Sequence, residues 1–149
     1  MGLIINQQLD IPAKAIFDQL ELEYRDGCGN SLIFDGGPVQ RDRGFILHRT
    51  CDKQWESTVA IADDISLTAS KDILSDIAVG NGPADAMITL GYSSWESGQL
   101  EQELVQNSWL TIPADSAIIF HTDCAKRAGA AASSIGVNLE MLALDAGHA

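Results

Sequence analysis

Basic residues are scarce in this chain. Nine Lys and Arg stand against twenty-one Asp and Glu, for a formal net charge of −12 over 149 residues. Such a surface repels polyphosphate at long range, so direct nucleic-acid binding is not expected. No helix-turn-helix pattern or basic recognition helix offsets that charge. Cysteine is sparse as well. Cys28, Cys51 and Cys124 are odd in number and irregularly spaced, which excludes a disulfide framework and leaves free thiols of a reducing compartment. No C-x-x-C or H-x-x-x-H pair suggests zinc, and His48, His121 and His148 are scattered, so no metal or cofactor is expected. No apolar run approaches the ~20 residues of a membrane helix. The start, MGLIINQQLD, has neither the basic flank of a secretory signal nor the Ser or Thr at position 6 that myristoylation favours. Repeats, low-complexity segments and linkers are absent too.

What is present is the material of a core. Hydrophobic residues make up 46% of the chain, and a chain of this length buries roughly 68–70% of its unfolded surface. The expectation is one domain over residues 1–149, in a cytoplasmic protein.

Short elements of alternating type follow one another. GLIIN (2–6) predicts a strand, and Ala13, Ile16, Phe17 and Leu20 share one face of a helix starting near Asp10 and Pro12. SLIFDGGPV contains a strand that Gly36-Gly37-Pro38 stops, and GFILH (44–48) alternates as another. STVAIADDISLT reads as a hairpin turning at Asp63-Asp64. Ser70 is a candidate N-cap for a helix over 71–78 burying Ile73, Leu74 and Ile77. AMITL (86–90) and AIIF (117–120) read as strands, as does a short run near 139–142. Leu100 and Leu104 mark the buried face of a helix that starts at Gly98 and stops at Asn107. Thr122 can cap a further helix with Ala128, Ala131, Ala132 and Ile135 on one face and Gly136 as its stop. The class is α+β, with a mainly antiparallel or mixed sheet and three to four short helices.

Two stretches could carry chemistry. Residues 41–53, RDRGFILHRTCDK, hold four basic against two acidic side chains, +2 locally, so the remainder carries −14. Gly36 and Gly37 permit close backbone approach, and the planar forks of Arg41 and Arg43, with His48 nearby in sequence, suit an anion. This is an anion pocket, or a tight turn whose arginines pair with local acids. The phosphate-loop pattern G-x-x-x-x-G-K-[ST] is absent. The second stretch, GYSSWESGQLEQELVQNSWL (91–110), packs two of the three tryptophans beside Glu96, Glu101 and Glu103. Trp95 stands where a nucleophile elbow needs Gly, and Ser93 and Ser94 have no evident base, so no catalytic residue is assigned. Trp95 and Trp109 either plug a structural corner or, with Tyr92 and Gln99, wall a groove for a peptide or small ligand.

GGPVQRDRGFILH, LGYSSWESGQLEQELVQNSWLTIPAD and the terminal GHA, in that order over nearly the whole chain, resemble the bacterial YqgE/AlgH family. The resemblance implies a small cytosolic α+β protein of a kind often labelled a transcriptional regulator, without implying an enzymatic activity. It also implies an additional N-terminal segment, which would make Met1 an internal methionine or the start of a shortened chain. The reading is a regulatory or binding protein acting through a protein or small-molecule partner. The alternative is an enzyme or small-anion binder built around Gly36-Gly37 and Arg43.

Overall fold

In the computed structural model, residues 1–146 are described, with side chains described through residue 142. The terminal Gly147-His148-Ala149 motif lies outside the described residues. The α+β domain comprises two compact units that divide after Ser94.

The first unit holds the sheet. Its strands are β1 (Gln8–Pro12), β2 (Leu32–Asp35), β3 (Val39–Arg49), β4 (Thr58–Ala62), β5 (Ile65–Thr68) and β6 (Ala86–Tyr92), and its helices are α1 (Ala13–Gln19) and α2 (Asp72–Ala78). The strand order is β1-β2-β6-β3-β5-β4. β2 and β6 are parallel and every other neighbouring pair is antiparallel, so the sheet is mixed and mainly antiparallel, as expected. Ala13 and Phe17 of α1 and Ile73, Leu74 and Ala78 of α2 pack with Ile33, Ile46, Ile88 and Trp55 as the core. Each such large apolar side chain contributes about 1.5–3 kcal/mol by leaving water.

α1 begins without a side-chain cap because carbonyls elsewhere serve it. Its first two amides, Ala13 and Lys14, donate to Ser31 and Gly29. Ser70 is likewise not the cap expected for α2. Its hydroxyl bonds the Asp72 carboxylate, which in turn accepts from the Ile73 and Glu56 amides. Residues 2–6 do not form the expected strand. Gly2 bridges Ser93 and the Ile4 amide donates to Gly36, so the segment runs beside a turn without a ladder. The hairpin at Asp63-Asp64 forms as read, with Ala62 paired to Ile65.

The second unit is helical: α3 (Gln99–Val105), α4 (Ser116–His121), a 3-10 turn (Cys124–Lys126), α5 (Arg127–Ser133) and α6 (Leu139–Ala146). Two expected strands are helices. At 117–120 the Asp115 carboxylate accepts from the Ala117 and Ile118 amides, and that cap outweighs the β-branched pair it precedes. At 139–142 the Asn138 side chain accepts from Glu140 and opens α6 in the same way. Thr122 does not cap α5; its hydroxyl donates to the Ala117 carbonyl and closes α4. On α5 the buried positions are Arg127 and Ala132, while Ala128 and Ile135 are exposed. Gly136 does stop the helix. Its φ is +77°, and amides 136 and 137 return to Ser133 and Ala132 in a Schellman pair. No helix among the described residues is long and apolar enough to cross a membrane.

Candidate functional site

β3 is irregular where the sequence is most basic. Val39 pairs with Tyr92 and Gly44 with Leu90, so β3 takes five steps where β6 takes two. The surplus residues 40–43 bulge out of the ladder, which re-aims their side chains. Gln40 sits there at φ +44°, a left-handed conformation that a non-glycine residue adopts at a cost. Beside the bulge, on the face carrying both helices, lies an open groove of about 820 Å³. Ile16 of α1, Leu20 at its C-terminal cap, Ile46, Leu74 and Leu90 give it an apolar floor. Gln19, Gln40, Asp42, Arg43, Ser70 and Lys71 give it a polar rim. Apolar walls with a few convergent polar groups, in a volume of roughly 300–1,000 Å³, are the ordinary make-up of a small-molecule site.

The cations of the basic island have separate fates. Arg41 pairs with Asp35 at 2.7 Å, and the same carboxylate accepts from the Gly37 amide. Arg49 pairs with Asp64 at 3.2 Å, and Lys53 pairs with Asp76. Bonds from Lys53 and from the Trp55 indole hold the Asp76 carboxyl below its usual range. Three of the four cations are therefore engaged by acids. Arg43 is different. It reaches the Gln40 side-chain oxygen at 3.5 Å and lies 5.2 Å from the Phe45 ring centre, with no carboxylate partner among the described residues. Its exposed guanidinium stands on the groove rim.

The remaining island candidates lie elsewhere. Gly36 and Gly37 pack against the end of β6, not along the groove. A Cβ at Gly36 would overlap the Gly91 carbonyl, and one at Gly37 the Tyr92 backbone. These glycines are required by the chain's own close approach. His48 is 1% exposed, against Trp55 edge to face at 5.2 Å. Its Nδ1 lies 2.9 Å from the Arg49 carbonyl, which can only accept, so Nδ1 carries the proton of the neutral ring. Nε2 then accepts from Thr68 at 2.8 Å, Thr68 from Thr58 at 2.8 Å, and Thr58 from the Trp55 amide at 3.1 Å. Burial holds the imidazole pKa below its ordinary 6.5, against the smaller opposing effect of the Arg49 bond.

In the second unit, Trp95, Gln99 and Trp109 come together around Glu103. Both indoles donate to one oxygen of Glu103, Trp95 at 3.2 Å and Trp109 at 2.7 Å, and Gln99 donates to the other oxygen at 3.0 Å. The bonds from Trp109, Gln99 and Trp95 hold the Glu103 carboxyl below its usual range. The rings meet at 70° with centres 5.8 Å apart. Trp109 is 46% exposed, so it is not the buried plug expected, and α3 buries no residue: Leu100 is half-buried and Leu104 exposed. The indole N–H explains this, because a polar handle bonded to a surface carboxylate keeps the ring at the surface. Tyr92 ends β6 and packs edge-on to Phe45 at 5.7 Å.

Sequence reasoning missed Lys71, Asp42 and Gln40 as rim residues, and Glu103 as the hub of the tryptophan pair. A spacing signal for the hub existed: Gln99 and Glu103 are four apart on one helix. No signal joins Lys71 to Arg43. They line one groove because the start of α2 and the bulge of β3 both border it. Among the described residues, no group of three or more His, Cys, Asp or Glu is placed to hold a metal.

The model of the AlgH-like family (DUF179) matches residues 1–140. The chain is 44% identical over 149 residues to a UPF0301 protein of Chromohalobacter salexigens, covering 99% of this chain and 80% of that one. It is 46% identical over 149 residues to one of Saccharophagus degradans, covering 100% and 73%. Among solved structures it is similar to the AlgH protein of Pseudomonas aeruginosa, with a TM-score of 0.77, 42% identity, and 100% and 79% of the two chains covered. A Corynebacterium diphtheriae protein, at TM-score 0.62 and 14% identity over 85% and 68% of the chains, shares the fold alone.

Proposed function

This chain belongs to the AlgH-like family, and within that frame we propose that it is a cytosolic regulatory protein acting as a receptor for an amphiphilic anion. The ligand carries a carboxylate or phosphate on an apolar body and lies in the groove between α1, α2 and β3. The observation carrying this reading is Arg43, a guanidinium without a carboxylate partner among the described residues, on the rim of an apolar-floored groove. Lys71 on the same rim supports it, and Asp42 limits the local excess to one positive charge. Binding is favoured over catalysis because the lining contains neither His nor Cys, and its one hydroxyl, on Ser70, already bonds Asp72. Regulation would then pass through ligand occupancy to a protein partner, and not through direct readout of DNA.

The test is a thermal-shift screen of fatty, aromatic and phosphorylated anions. A ligand at one hundred times its Kd stabilises by about 2.7 kcal/mol, on the order of 5–10 °C in Tm for a chain of this size. Arg43→Lys keeps the charge and loses the fork, so affinity should fall about tenfold, the worth of one hydrogen bond to a charged group. A panel without any stabilising anion, or one whose hits ignore Arg43→Gln, would refute the receptor reading.

A further inference from the structure

We propose that the Trp95–Trp109–Glu103 corner of the second unit is a recognition site for an organic cation, an alkylammonium or guanidinium group. This site is separate from the Arg43 groove and does not rest on it. Two indoles meeting at 70° present π surface in two nearly perpendicular directions, and Trp109 keeps nearly half of its surface open to solvent. Ring faces are negative and ring edges positive. Here the positive N–H edges of both rings converge on a single carboxylate oxygen; the edge-to-face contact covers one ring face, and the exposed part of Trp109 is the negative surface left to a ligand. The second carboxylate oxygen accepts one hydrogen bond, from Gln99, and has capacity for another. The bonds from Trp109, Gln99 and Trp95 favour the ionised form of Glu103.

The charge along this stretch of the chain is of one sign. Glu96, Glu101, Glu103 and Asp115 fall within residues 95–115, and no Lys or Arg occurs between Lys71 and Lys126. Among the described residues, Glu103 has no ion-pair partner. A neutral stacking ligand would leave that charge unused, and an anion would be repelled. A compact or alkylated ammonium, or a guanidinium, satisfies both the ring faces and the free carboxylate position. Leu110, exposed next to Trp109 in the chain, suits the methylene stem of a basic side chain.

The three indole N–H signals of the 15N-labelled full chain provide the readout, with an internal control. Trp55 is buried in the first unit and donates to Asp76, so its signal should stay still. Titration with tetramethylammonium, with N-methylated lysine amide and with a lysine-rich peptide should move the Trp95 and Trp109 signals saturably. Sodium chloride at matched ionic strength should not. Glu103→Gln, which keeps an acceptor oxygen and removes the charge, should weaken binding about fivefold or more, and Trp109→Leu should do so independently. Saturation by the small cations assigns the source as a free metabolite; saturation by the peptide alone assigns it as a partner's side chain. The site is overturned if no cation gives saturable shifts, if salt alone reproduces them, or if both variants bind as the parent does.

Discussion

His48 shows how one buried side chain can tie a sheet to its pH. The order of donors from the Trp55 amide through Thr58 and Thr68 to Nε2 holds only while the ring is neutral. A second ring proton would turn Nε2 into a donor and force Thr68 to donate to Thr58, leaving the Thr58 O–H without its present acceptor, since the Trp55 amide beyond it can only donate. Because burial lowers the folded pKa, the unfolded chain takes up the proton first as pH falls. Stability is therefore complete above the ordinary imidazole pKa of 6.5 and declines as pH drops below it, until the folded pKa is reached. One proton gives at most about 1.4 kcal/mol per pH unit. Denaturant midpoints between pH 7.5 and pH 5 should fall in the parent and fall less in His48→Gln; a parent indifferent to pH over that range would remove this role. The sequence supplied the residue but not its setting. His48 stood beside the arginines in the chain, yet strand alternation turns it to the same face as Ile46, toward the helices and Trp55. For Trp109, half exposed and held by its N–H, Trp109→Ala should leave the chain folded, at well under the ~3–5 kcal/mol that a buried tryptophan costs. A melt showing collapse would restore the plug.

At the scale of elements, the bulge in β3 is what makes the groove. A regular ladder through residues 40–43 would point alternate side chains to opposite faces and leave no rim. The structure keeps Gln40 at φ +44°, and the two other non-glycine residues with positive φ among the described residues, Glu21 and Asn107, have ordinary reasons, since each follows the last turn of a helix. Gln40→Gly should therefore leave stability within about 1 kcal/mol of the parent, and Gln40→Val should lose about 1–2 kcal/mol because a branched Cβ crowds the left-handed region. Chemical denaturation separates the two; equal losses would mean the bulge is not strained. Amphipathic spacing revealed α1, α2 and the hairpin, because those elements bury a face. It failed at Ala117–Phe120 and near Leu139, where polar caps at Asp115 and Asn138 decide the outcome and little is buried. The bulge had no sequence signature. Its extra residues are polar and lie within a run that alternates on either side of them.

For the whole molecule, the decisive quantity is where charge is free, not how much there is. The net −12 is spread over the chain, and the one basic run is largely neutralised by Asp35, Asp64 and Asp76. The family resemblance made the fold legible at once, but a regulatory label invites the idea of a DNA-binding surface. Electrostatics argues otherwise. Each phosphate contact on duplex DNA needs a cation, and contributes a slope of about −0.9 to the dependence of log K on log salt. Arg43 and Lys71 are the two cations on the groove rim, and Asp42 is in the same lining. Two contacts give little affinity, and the surrounding acidic field works against even those. At ~150 mM salt, fluorescence anisotropy should show duplex binding no tighter than about micromolar, without sequence preference. Addition of a groove-binding anion should not strengthen it, because the ligand occupies those same cations. A nanomolar footprint with a defined sequence, in the presence or absence of the anion, would overturn this account and place regulation at DNA itself.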